Sequence, residues 1–109
     1  MDASDLKRQI LIASEQTGIR KKLVQGDSGL RSEDIIEMGK AFEQMVATKG
    51  WTYVEAYILR QADPIATLFG KDEEEKSRAR GLVLLMQYVD ASIRAKNDLE
   101  KGSPDAAKE

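Results

Sequence analysis

KDEEEKSRARGLVLLMQYVD, Lys71 to Asp90, holds four consecutive acids, a basic patch, a glycine and an unbroken apolar run. How this stretch folds decides the rest. Asp72 reads as a helix cap, and Glu75, three residues on, completes a capping box. Glu73 and Glu74 then sit in the first turn against the positive end of the dipole. The apolar residues that follow, Ala79, Leu82, Met86, Val89 and Ile93, recur at spacings of three and four, with Leu85 widening the stripe. A long helix is predicted, ending at Gly102-Ser103-Pro104, with Glu74 and Glu75 placed to pair with Arg78. The apolar core of the run, Gly81 to Met86, is far shorter than the roughly 20 residues a bilayer requires, and charges close it on both sides, so no membrane span is predicted.

Upstream, the same helical period repeats. Asp2 or Ser4 can cap a first helix carrying Leu6, Ile10, Ala13 and Thr17, with Gly18 as a stop that Ile19 to Val24 could run past. QGDSGLRS is a loop. Ser32, followed by Glu33 and Asp34, starts a second helix with the stripe Ile35, Met38, Phe42 and Met45, ending near Thr48 to Gly50. Thr52 with Glu55 matches a capping box for a third helix, with Trp51 just outside it. Val54, Tyr57, Ile58 and Gln61 or Ala62 are its expected inner face, and Asp63-Pro64 ends it. A short turn holding Ile65, Leu68 and Phe69 follows, closed by Gly70. Strict apolar alternation occurs nowhere. The expected fold is therefore all-α, a small bundle of about four helices with a long C-terminal helix, forming one domain over residues 1–102 with a flexible tail over 103–109.

Composition narrows the chemistry. The chain has no cysteine and no histidine, which removes disulfides, thiolate or imidazole metal sites, Ser-His-Asp triads and Cys-His dyads together. Gly26-Asp27-Ser28-Gly29 spells the nucleophile motif of chymotrypsin-like proteases, but the base it needs is missing. Ser4-Asp5-Leu6-Lys7 spells the S-x-x-K of penicillin-binding enzymes at the end of a chain too short for that fold. The acids at 72–75 point in different directions around a helix and lack the spacing of a cation loop. No catalytic residue, metal, cofactor or small-molecule substrate is expected. A net charge of −2 gives no global field toward nucleic acid or anionic lipid. Local basic groups remain: Arg20, Lys21 and Lys22 with Arg31 nearby, and separately Arg78 and Arg80. The charged opening, Asp2, Asp5, Lys7 and Arg8, does not read as a secretory signal, and a cytoplasmic location is expected.

A helix apolar nearly all round must be covered nearly all round, and the other helices of so small a domain cannot supply all of that cover. A second subunit is therefore expected on the long helix. The expected contact residues are Gly81, Leu82, Leu85, Met86, Val89 and Ile93, joined by an exposed Tyr53; Gly81, Ala91 and Ser92 are the points of close approach. Trp51 and Tyr57 are expected in the core.

The order Gly50-Trp51, a tyrosine-rich helix, Glu74, Glu75, Arg78, Arg80-Gly81 and a closing helix with Asp90, Ile93 and Lys96 resembles small helical proteins encoded in tailed-phage genomes near the head and DNA-packaging genes. That resemblance covers residues 50–100 and implies an oligomeric accessory protein without enzymatic activity. The sequence thus points to a homo-oligomeric helical interaction module, a phage assembly or host-takeover factor. The alternative is a nucleic-acid-binding regulator using Arg20, Lys21, Lys22 and Arg31.

Overall fold

The computed structural model describes residues 2–63 and 72–102, and these are almost entirely helical, with no strand among them. Helix α1 (Ala3–Ala13) is capped by Asp2, whose carboxylate accepts the Asp5 N–H at 2.8 Å. A tighter 3₁₀ turn (Ser14–Thr17) continues it to Gly18, which turns the chain with φ 72°, a backbone conformation that costs other residues more than glycine. The first helix therefore stops where glycine allowed it to, and α2 (Ile19–Val24) is a separate element. Helices α3 (Ser32–Val46), α4 (Lys49–Ala62) and α5 (Glu73–Glu100) complete the bundle. The short turn expected at Ile65, Leu68 and Phe69 and the tail over 103–109 lie outside the described residues.

Two helix starts differ from those read in the sequence. Ser32 is already helical, and the extended Arg31 precedes it, its carbonyl accepting the Ile35 N–H. At α4 the cap is Thr48, not Thr52: Thr48 Oγ1 accepts the Trp51 N–H at 3.1 Å and donates to the Met45 carbonyl at 2.6 Å. One threonine thus closes α3 and opens α4, so that Trp51 lies inside the first turn. The inner stripe of α4 is Trp51, Glu55, Ile58, Leu59 and Ala62, while Val54 and Tyr57 face outward. At α5 the expected cap holds, with Asp72 accepting the Glu75 N–H at 2.8 Å. Its first-turn ion pair is Lys76 with Glu73, not Arg78 with Glu74 or Glu75.

Helix α5, 28 residues and about 42 Å long by helical rise, is the axis of the molecule. It joins two apolar clusters. Toward its C-terminus, Ala95 packs with Leu23, Val24 and Ile35 from α2 and α3, with Met38 and Leu99 alongside. Toward its middle, Met86 packs with Ile10 of α1 and Ile58 of α4, flanked by Leu82 and Val83. Buried polar groups tie α5 to α1 and the turn after it: Gln87 donates to the Ile10 carbonyl at 2.9 Å, and the Ser14 hydroxyl donates to the Gln87 carbonyl; Ser92 bonds back to the Tyr88 carbonyl within α5. Phe42 meets Tyr88 edge to face, with ring centroids 6.1 Å apart.

Candidate protein interface

The motifs that spell known chemistry are occupied with structure. Ser28 lies in the α2–α3 turn, its hydroxyl accepting the Leu30 N–H, and Gly29 holds φ 82°. Asp72 is engaged as a cap and Glu73 as an ion-pair partner. Among the described residues no group of three acids converges to hold a metal ion, and no helix is long and apolar enough to cross a membrane.

The basic candidates divide. Arg20 is held by Glu15, at 3.0 Å, and by Asp98 of α5; these carboxylates, Glu15 first, raise its pKa. Arg31 reaches Asp34 and Glu33 beside it. Lys21 and Lys22 remain exposed on α2, with no ion pair among the described residues.

A chain of charges runs across the α1, α4 and α5 junction. Lys7 Nζ stands 2.6 Å from Glu55 Oε1, and Arg94 Nε stands 3.0 Å from Asp90 Oδ2, both carboxylate oxygens being buried and met as ion pairs, not as aligned hydrogen bonds. Arg94 also reaches Glu15 at 3.3 Å. Burial pushes the Asp90 carboxyl above its usual range, against the pull of Arg94, whereas the Arg20 hydrogen bond holds Glu15 below its own. The adjoining cavity, about 140 Å³, is walled chiefly by Leu11, Val46, Trp51, Met86, Val89 and Ile93. Trp51 is accordingly half-buried, in the seam where α4 meets α5. Lys7–Glu55 ties α1 to α4, Arg94–Glu15 ties α5 to the 3₁₀ turn, and Arg94–Asp90 lies within α5; Glu55 sits on an inner face where Lys7 meets it.

The residues expected at an interface separate into two sets. Met86 and Val89 are buried in the chain's own core, and Leu82 and Ile93 are partly covered. Ala91 and Ser92 are also buried: Ser92 lies under α3, where a Cβ at Gly39 would stand 3.1 Å from the Ser92 carbonyl oxygen. The close approach read at Ala91 and Ser92 is thus made inside the chain, through Gly39. Gly81, Leu85 and Tyr53, by contrast, are exposed.

The antiparallel course of α4 against α5 sets Tyr57 of α4 beside Gly81 of α5. Trp51 and Glu55 share the cavity with Val89, Asp90 and Ile93, whereas Ala62, near the end of α4, lies beside Ala79 and Val83. On the outer side of that pairing, Tyr57, Gln61, Arg78, Gly81 and Leu82 line an open groove of about 560 Å³. The large apolar residues exposed on these two helices are Tyr53 (66%), Val54 (45%), Tyr57 (48%), Leu84 (50%) and Leu85 (49%). Tyr57, expected in the core, is thereby corrected to the surface, and Val54 and Leu84 join the exposed set. Their signal was present in the period once Trp51 is taken as the inner residue, since Val54 and Tyr57 then fall on the flank of α4.

Helix length explains the bare face. Helix α3, about 22 Å long, covers one side of α5 from Tyr88 toward the C-terminus, and α4 covers the opposite side of the N-terminal half. Nothing among the described residues extends α3's cover over Leu84, Leu85 and Gly81. A Cβ placed at Gly81 would meet no atom of the described residues within 4 Å.

No family model, no curated protein and no solved structure matches the chain.

Proposed function

We propose that this chain is a non-enzymatic helical interaction module that associates with itself through the outer face of α4 and α5. One observation carries the reading: Gly81 stands in mid-helix with open space around it, beside half-exposed Leu84, Leu85 and Tyr57. Glycine in a helix interior costs about 1 kcal/mol relative to alanine, and no contact within the described chain requires a residue so small there. Close approach of another helix would supply the reason, and clustered apolar surface of this kind marks contact sites on soluble proteins. Within this reading the resemblance to small tailed-phage proteins supplies a setting, an accessory role in head assembly, packaging or host takeover, acting in the host cytoplasm.

Analytical ultracentrifugation tests it. The chain is expected to sediment as a concentration-dependent oligomer, and Leu85→Glu to shift it to monomer with its helical circular dichroism retained. A wild-type chain that stays monomeric at high concentration and is unmoved by Leu85→Glu would defeat the reading.

A further inference from the structure

Resting on that reading, we infer that the occupant of the face is a second copy in antiparallel two-fold register centred near Gly81, with Leu85 of each chain packed over Ser77 of the other.

Ser77, Gly81 and Leu85 follow one another at a spacing of four along the open side of α5, all three exposed. Side-chain size along this line rises in one direction, from hydroxymethyl through none to isobutyl. A parallel two-fold would set Leu85 against Leu85 and Ser77 against Ser77, wedging the helices apart at one end and leaving a gap at the other. An antiparallel two-fold sets large over small at both ends and places the two Gly81 backbones at the axis, where the helices approach closest. The surface is therefore complementary to itself, which singles out a second copy over an unrelated helix.

Charge selects the same register. Glu73, Glu74 and Glu75 crowd the N-terminal end of α5. A parallel pair would bring both acidic ends together. In the antiparallel pair the two Glu74 positions lie about 21 Å apart along the helix direction, well beyond the roughly 8 Å screening length at physiological salt.

Area sets the strength. With about 200 Å² for a tyrosine, the half-exposed Tyr53, Val54, Tyr57, Leu84 and Leu85 present on the order of 400–500 Å² per copy. A pair buries at most about 1,000 Å², below the roughly 1,200–2,000 Å² of stable interfaces and in the range of weak, reversible ones. The dimer is expected to be reversible.

The chain contains no cysteine, so introduced thiols report cleanly. Ser77→Cys and Leu85→Cys chains are prepared separately, then oxidised with glutathione disulfide alone and as an equimolar mixture. The mixture is expected to form a cross-linked dimer at least about tenfold faster than either alone, because like positions lie about 12 Å apart along the helix in this register, too far for a disulfide. Ser77→Cys with Leu84→Cys, which share one flank of this line and come level across the two-fold, repeats the test with Leu85 intact and should give the same mixed product. Leu85→Cys linking to itself as fast as to Ser77→Cys would overturn the antiparallel register. A wild-type chain that sediments as a dimer while neither mixed pair links would overturn the inference and leave self-association standing. A wild-type monomer would remove both.

Discussion

The two halves of α5 each stand beside a mid-helix glycine, and the glycines have opposite surroundings. Toward the C-terminus, Gly39 of α3 lies against α5 so closely that a Cβ would come within 2.9 Å of Lys96 Cγ and nearer still to Lys96 Cβ. Lys96 runs past this contact, buried, to ion pairs with Glu43 and Glu100 that keep it charged; the Glu43 hydrogen bond is the main cause of its raised pKa. Toward the N-terminus, Gly81 on α5 itself meets nothing among the described residues. The same residue type thus marks a helix contact already made in one half and a contact still available in the other. The difference follows from length, since α5 outruns the described helices that lie against it.

The largest way to test that contrast is to remove a large side chain from each half. Ile35, fully buried under the C-terminal half, should lose about 2–5 kcal/mol of unfolding free energy on replacement by alanine, through lost burial and the cavity left behind. Leu84→Ala, in the open half, should cost the monomer within about 0.5 kcal/mol. Urea denaturation at a protein concentration low enough to keep the chain monomeric measures both. Equal losses would mean that the face at Leu84 is covered after all.

Gly39→Ala comes next. The added methyl has no room, so α3 must shift off Ser92 and Lys96, at a cost of about 1–3 kcal/mol by the usual penalty for overpacking. The midpoint of denaturant unfolding should fall accordingly. An unchanged midpoint would show that the crossing of α3 and α5 is looser than the contact implies.

Gly81→Ala should move the other way. In an open helix interior alanine gains about 0.5–1 kcal/mol over glycine, so the monomer should become more stable while its sedimentation shows weaker self-association. A monomer destabilised by this change would contradict the open surroundings of Gly81.

What the sequence disclosed follows from which forces act locally. The all-α class and the start of α5 at Asp72 were legible because apolar period and capping chemistry are short-range. The inner face of α4 was not. Its stripe contains Glu55, which burial would ordinarily forbid, and only Lys7, distant in sequence, makes it tolerable. Read as the capping-box partner of Thr52, Glu55 drops out of the stripe, and Val54 and Tyr57 take the inner face in its place. The buried Lys96 was hidden for the same reason, since its partner Glu43 comes from another helix. On α5 the apolar period predicted a surplus of apolar surface without telling which residues the chain would cover itself. That division depends on where α3 ends, near Tyr88, and therefore on the turn at Thr48.

The smallest effect sits where the two halves of α5 meet, at Asp90, because burial and Arg94 act on it in opposite directions. Burial is the larger influence and raises its pKa; Arg94 and Lys7 lower it, and Glu15 raises it. A carboxyl whose folded pKa exceeds its unfolded value holds its proton more tightly when folded. Its contribution to stability is then present below the unfolded pKa, about 3.9 for aspartate, and is lost as pH rises through the folded value. Asp90→Asn removes that dependence. In urea titrations across pH 3 to 7, the variant should therefore gain on the wild-type chain as pH rises. A gain for the wild-type chain instead would mean that Arg94 outweighs burial at this carboxyl.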